Sequence, residues 1–205
     1  MAYETLVCFS VLICFPVHLF QVYVGKVLVE QMTMFCQVDN WNELTKKEKL
    51  VLLCKDGLDL IRQNKAIPCN NVLLRVTGLI KTDQDAREYL LDKCCQVCAK
   101  GIVLLSRILG RNEYLLSQLG LVVGGIDDST PLLGNTLPEV DQLTLDAMEV
   151  AFEGRIMQWT NLSLCESINW VGQFDTRERL ICILTRCIEN GGTFTQFDID
   201  NPPTV

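Results

Sequence analysis

"LLDKCCQVCAKGIVLLSRILGR", residues 90–111, is the stretch on which the fold turns. Read at helical spacing, Leu91, Cys94, Cys98, Ile102, Leu105 and Leu109 fall three or four residues apart and share one face. Leu90, Val97, Leu104 and Ile108 widen that face, while Lys93, Gln96, Lys100, Arg107 and Arg111 gather opposite. The pattern predicts one long amphipathic helix, started by Thr82-Asp83-Gln84-Asp85 and stopped near Gly110. Its cysteines then fill positions where an apolar stripe takes small residues.

A metal site is the competing explanation. Structural zinc takes about four ligands, with a second Cys or His pair at matching spacing. No second C-x-x-C exists, Cys182 and Cys187 lie inside another predicted helix, and His18 sits in an apolar run. A redox pair would belong at a helix N-terminus, where the dipole lowers the thiol pKa. The expectation is therefore no metal, no cofactor and packing cysteines.

Outward from that stretch the chain keeps reading as helix. Thr45-Lys46-Lys47-Glu48 has the form of a capping box, followed by a stripe of Leu50, Leu53, Cys54, Gly57, Leu58 and Ile61. "NKAIPCNN" (64–71) breaks that helix through Pro68. Residues 112–122 form another short apolar segment, and "VVGGIDDSTPLLGNTLP" (122–138) is the one long loop-like run. Helix starts are predicted at Thr136-Leu137-Pro138-Glu139 and Asp175-Thr176-Arg177-Glu178, and "ENGG" (189–192) closes the last helix. With no series of alternating strands, the predicted fold is all-α, a bundle of about six to eight amphipathic helices. Its segments would be an apolar N-terminal stretch (1–38), a helical domain (39–192) and a polar tail (193–205).

Between Glu4 and Lys26 there is no charged residue, so "TLVCFSVLICFPVHLFQVYVG" (5–25) is long enough to span a bilayer. Pro16, His18 and Gln21 weigh against a span, and a buried core element is the alternative. A secretory signal fits poorly, because the stretch has no basic lead and no small-x-small end. Removing it would also leave nine of the eleven cysteines, an odd number. A reducing, intracellular compartment with free thiols is the expectation.

The net charge of −7 argues against nucleic-acid partners, which select a basic surface. One histidine makes a Ser-His or Cys-His machine improbable, and phosphate-loop, zinc-protease and nucleophile-elbow motifs are missing. Gly124-Gly125-Ile126-Asp127-Asp128 offers too few ligands for a cation and reads as a turn. Glu139 with Asp141, and Glu149 with Glu153, read as solvated helix faces. No catalytic residue is assigned, and the chain is expected not to be an enzyme.

Two segments carry a resemblance. "TGLIKTDQDAREYLLDKCCQVCAKGIVLL" (77–105) is similar to the opening helix of the peroxin-eleven family, and "RIMQWTNLSLCESINWVGQF" (155–174) to that family's later apolar segment. Asn161-Leu162 and Trp170-Val171-Gly172-Gln173 occupy the matching steps, whereas Gln84-Asp85-Ala86-Arg87 departs from the family's Gly-Arg-Asp-Lys core. The resemblance implies a peroxisomal membrane protein that remodels lipid without catalysis. Residues 91, 94, 98, 102, 105 and 109 would be the insertion face, with Lys93, Lys100, Arg107 and Arg111 toward headgroups. A second likeness links "INWVGQF" (168–174) and "LLSRILGRNE" (104–113) to helical cell-death regulators. It implies a soluble adaptor that binds a partner helix in an apolar groove. The partners expected are thus membrane lipid, a helical protein or a second copy of the chain.

Overall fold

The computed structural model describes residues 38, 40–76, 86–111, 137–154 and 169–204. The apolar stretch 5–25, the start at 82–85, the segment 112–122 and the Gly124–Asp128 turn lie outside the described residues. Within them the chain is predominantly helical, and no described helix is long and apolar enough to cross a membrane.

After a 3-10 turn at Trp41–Glu43, helix α1 runs Lys46–Arg62. Its capping box forms as the sequence predicts. The Glu48 N–H donates to Thr45 Oγ1 at 3.3 Å, and the Thr45 N–H donates to Glu48 Oε2 at 2.8 Å. The predicted stripe, Leu50 through Ile61, is the buried face.

The largest departure from expectation lies in residues 90–98. Instead of one long helix, the chain forms α2 (Ala86–Leu91), strand β3 (Cys95–Val97) and α3 (Ala99–Arg111). With β1 (Ala66–Pro68) and β2 (Leu74–Val76), β3 makes a small mixed sheet in the order β1-β3-β2. The fold is therefore not purely all-α. β3 pairs parallel to β1, with Ile67 opposite Gln96, and antiparallel to β2, with Arg75 opposite Gln96. The same residues satisfy both periods: Cys95 and Val97 alternate inward around Gln96, as a strand requires, while 91, 94 and 98 keep helical spacing. Asp, Cys and Val are weak helix formers, and two waiting edges supply backbone partners, so the strand wins. Ladder bonds continue beyond the strands, from Cys95 N–H to Lys65 O and from Cys69 N–H to Val97 O, each 2.8 Å.

Among the described residues helix α3 is the most enclosed element. Every residue from 99 to 109 is buried, and α1, α2, α4 and α6 pack around it. Helix α4 (Gln142–Glu153) begins later than the predicted start at 136–139, and its cap is Asp141, which accepts the Thr144 N–H at 3.0 Å. The short α5 (Asn169–Gln173) leads to α6 (Thr176–Glu189), capped by Asp175 as predicted. Gly191 and Gly192, at φ 65° and 85°, end α6. A Cβ on Gly192 would lie 2.2 Å from Lys47 O, so close approach to α1 also selects glycine there.

Residues 193–204 hold a short helix, α7 (Gln196–Asp200), where a polar tail was expected. Phe194 and Ile199 are buried, and the Trp170 indole N–H donates to Ile199 O at 2.9 Å. The rings of Phe174 and Phe194 flank Trp170 with centroids 5.8 and 6.0 Å away.

Candidate functional site

The residues assigned to an insertion face do not share one surface. Leu91 is half-buried at the end of α2, Cys94 is exposed ahead of β3, and Cys98 is buried between β3 and α3. Ile102, Leu105 and Leu109 are core residues of α3. The exposed Cys94 thiol donates to Asn64 O at 3.1 Å.

The basic residues placed opposite them are not a solvated face either. Lys93 is half-buried, with its ammonium 5.5 Å from the centre of the Tyr89 ring. Lys100 and Arg107 are each only 4% exposed. The Lys100 ammonium pairs with Asp146, and the Arg107 guanidinium pairs with Glu139 while lying 5.4 Å from the Trp41 ring centre. The side chain of Arg111 lies outside the described structure.

Glu149 and Glu153, read as a solvated helix face, are instead part of a buried polar seam. Asp146, Glu149 and Glu153 lie on one face of α4, at i, i+3 and i+7. Glu149 Oε2 accepts the Lys100 N–H at 2.9 Å, which places negative charge at the positive end of α3. Glu153 Oε1 accepts the Asn71 N–H at 2.8 Å, holding the left-handed Asn71 (φ 59°) in its turn. Beside the seam, Arg179 donates to Phe152 O at 2.8 Å and lies over that ring. Burial holds the Arg179 guanidinium below its usual pKa, opposed by Glu153 and Asp175. Each carboxylate of the seam is engaged with a neighbour: Asp146 and Glu149 join α4 to α3, and Glu153 joins it to the turn before β2.

The surface offers a different feature. Leu44, Glu48, Val51 and Leu52 line a groove on the outer side of α1, with Val38 and Gly191 closing its ends. Its volume is about 350 Å³. Val51 and Leu52 leave α1 off its buried stripe, and Leu44, just ahead of the Thr45 cap, joins them at the groove. Glu48 brings one carboxylate to the groove lining, turned back toward the cap. The Thr45 backbone N–H, and then the Thr45 hydroxyl, hold its pKa below the usual 4.5. By helical spacing, exposed Lys47 and Lys55 flank Val51 and Leu52. Two lysines, Lys47 and Lys55, thus stand beside the groove on a chain of net charge −7.

A second depression of about 420 Å³ lies on the outer side of α6, lined by Ile181, Cys182, Thr185, Arg186, Glu189 and Pro203. Its one cation is committed, since the Arg186 guanidinium donates to Asn201 O at 2.9 Å. Burial and the nearby Glu178 raise the Cys182 thiol pKa, which leaves it a poor nucleophile.

The α1 groove was not legible from the stronger stripe of α1 alone. The available signal was Val51-Leu52, two apolar residues off the face set by Leu50, Leu53 and Cys54. Among the described residues no cluster of three or more His, Cys, Asp or Glu could hold a metal ion. No family model, curated protein or solved structure matches the chain.

Proposed function

We propose that this protein is a non-enzymatic binding module whose α1 groove receives the apolar face of an acidic amphipathic partner helix. The single observation that carries this reading is the apolar lining of Leu44, Val51 and Leu52 with exposed Lys47 and Lys55 beside it at helical spacing. A helix laid in such a groove inserts side chains at i, i+3, i+4 and i+7, and its acidic flank meets the lysines. The adaptor alternative reached from the sequence is the one favoured here. The lipid-facing role assigned to α3 would need Lys100 and Arg107 at a surface, and both are enclosed in ion pairs.

The test is a titration of the full chain with a synthetic helix bearing leucines at helical spacing and glutamates elsewhere. Binding is expected with Kd on the order of micromolar, weakened at least about tenfold by Leu52→Asp. A lysine-flanked version of the peptide should bind more weakly. Equal binding by the wild type and Leu52→Asp overturns the proposal, as does binding to anionic vesicles with none to the peptide.

A further inference from the structure

Helices α1 and α6 run antiparallel, and three contacts fix their register. Gly192 lies against Lys47 O, a Cβ on Gly57 would sit 3.6 Å from Leu184 Cδ1, and the Arg177 guanidinium donates to Ile61 O at 2.8 Å. Each step along α1 is matched by an equal step back along α6. Three residues before Gly57 is Cys54, and three residues after Leu184 is Cys187. The register therefore brings the two thiols face to face, both fully buried and neither in a disulfide.

The neighbouring Cys187 thiol, together with burial, raises the Cys54 pKa well above the ordinary 9.0. The other cysteines are placed differently. Cys94 is exposed and Cys182 half-buried, while burial and the neighbouring Cys94 push Cys95 up to about 12.

We infer that Cys54 and Cys187 are a latent disulfide site, an internal redox staple joining α1 to α6. The oxidant is a peroxide. One thiolate attacks the peroxide, the O–O bond breaks, and a sulfenic acid and one water result. The second thiol's sulfur then attacks the sulfenic sulfur, the S–S bond forms, and a second water leaves. Two thiols and one peroxide thus give one disulfide and two waters. Reaction is slow at neutral pH, because both groups are enclosed and Cys54 holds its proton, and it accelerates as the pH rises. The staple would hold α1 at a fixed distance from Gly191, which lines the groove from the α6 side. The inference does not depend on what the groove binds.

The experiment treats the folded full chain with hydrogen peroxide, blocks remaining thiols with an alkylating reagent after denaturation, and maps crosslinked peptides without reduction. A Cys94→Ser variant is run alongside, so that the exposed thiol cannot dominate the chemistry. The expected result in both proteins is a Cys54–Cys187 crosslink that reductant removes, with a melting temperature raised by about 10 °C. Cys54 still open to the alkylating reagent after oxidation overturns the inference. So does Cys54 crosslinked to another partner, or an oxidised chain that melts below the reduced one.

Discussion

Glu149 on α4 accepts the backbone N–H of Lys100 at 2.9 Å, while the Lys100 ammonium pairs with Asp146 one turn earlier on the same helix. One residue at the start of α3 is thus gripped twice by α4. The first bond caps an orphan N–H with a carboxylate, and the second neutralises a cation that would otherwise be buried alone.

Breaking only one side of this grip should be costly. Asp146→Ala leaves the Lys100 ammonium enclosed without its partner and should destabilise the protein by about 3–5 kcal/mol in denaturant unfolding. The double change Lys100→Met with Asp146→Leu removes both charges and should return most of that loss. A double variant as unstable as the single one would show that the pair contributes more than mutual neutralisation.

Gly101 allows α3 to press against the segment before β2. A Cβ there would lie 1.5 Å from Leu73 O, and backbone cannot swing aside as a side chain can. Gly101→Ala should cost at least about 3 kcal/mol, visible as a lowered urea midpoint or a failure to fold. Gly57→Ala is the comparison. Its closest contact is Cγ1 of the buried Ile102 at 2.9 Å, side chain rather than backbone, so its cost should be smaller.

The C-terminal segment is tied to the body through Trp170, whose indole N–H donates to Ile199 O and Asp198 O. Trp170→Phe keeps an aromatic ring but removes that donor, and should cost about 1–2 kcal/mol. Amide hydrogen exchange should quicken over Gln196–Asp200 far more than over α1. Uniform quickening would mean that α7 and the core open together.

Acid should loosen the start of α1. The Glu48 carboxylate titrates below 4.5 in the folded chain because the Thr45 N–H and hydroxyl favour its charged form. Its contribution is therefore present above pH 4.5 and fades as the pH falls through the lower folded value. Glu48→Gln keeps a neutral capping box and should flatten this part of the acid dependence, read from amide exchange over the first turn of α1. An unchanged acid profile in the variant would assign the loosening to another group.

The parts of the fold that were legible are those decided within a few residues. Thr45 with Glu48, Asp175 with Glu178, and the Gly191–Gly192 stop each satisfy backbone groups inside one turn of chain. The core stripe of α1 was legible for the same reason, since helical spacing alone brings Leu50, Leu53, Cys54 and Gly57 together. The groove stripe was present in the same letters, but nothing local ranks Val51 and Leu52 as surface rather than second core.

Residues 90–111 show the other side. The sequence by itself determined that this stretch would bury an apolar face and carry cations across from it. Only the tertiary structure decided that Cys95–Val97 leaves the helix for a strand, because its ladder partners lie at Ala66–Pro68 and Leu74–Val76. Tertiary structure likewise decided that Lys100 and Arg107 are interior residues, through carboxylates 46 and 32 residues further along the chain. A buried charge is tolerated only where its partner is supplied, and that partner is set by how α4 and the segment before it pack, which local periodicity does not encode.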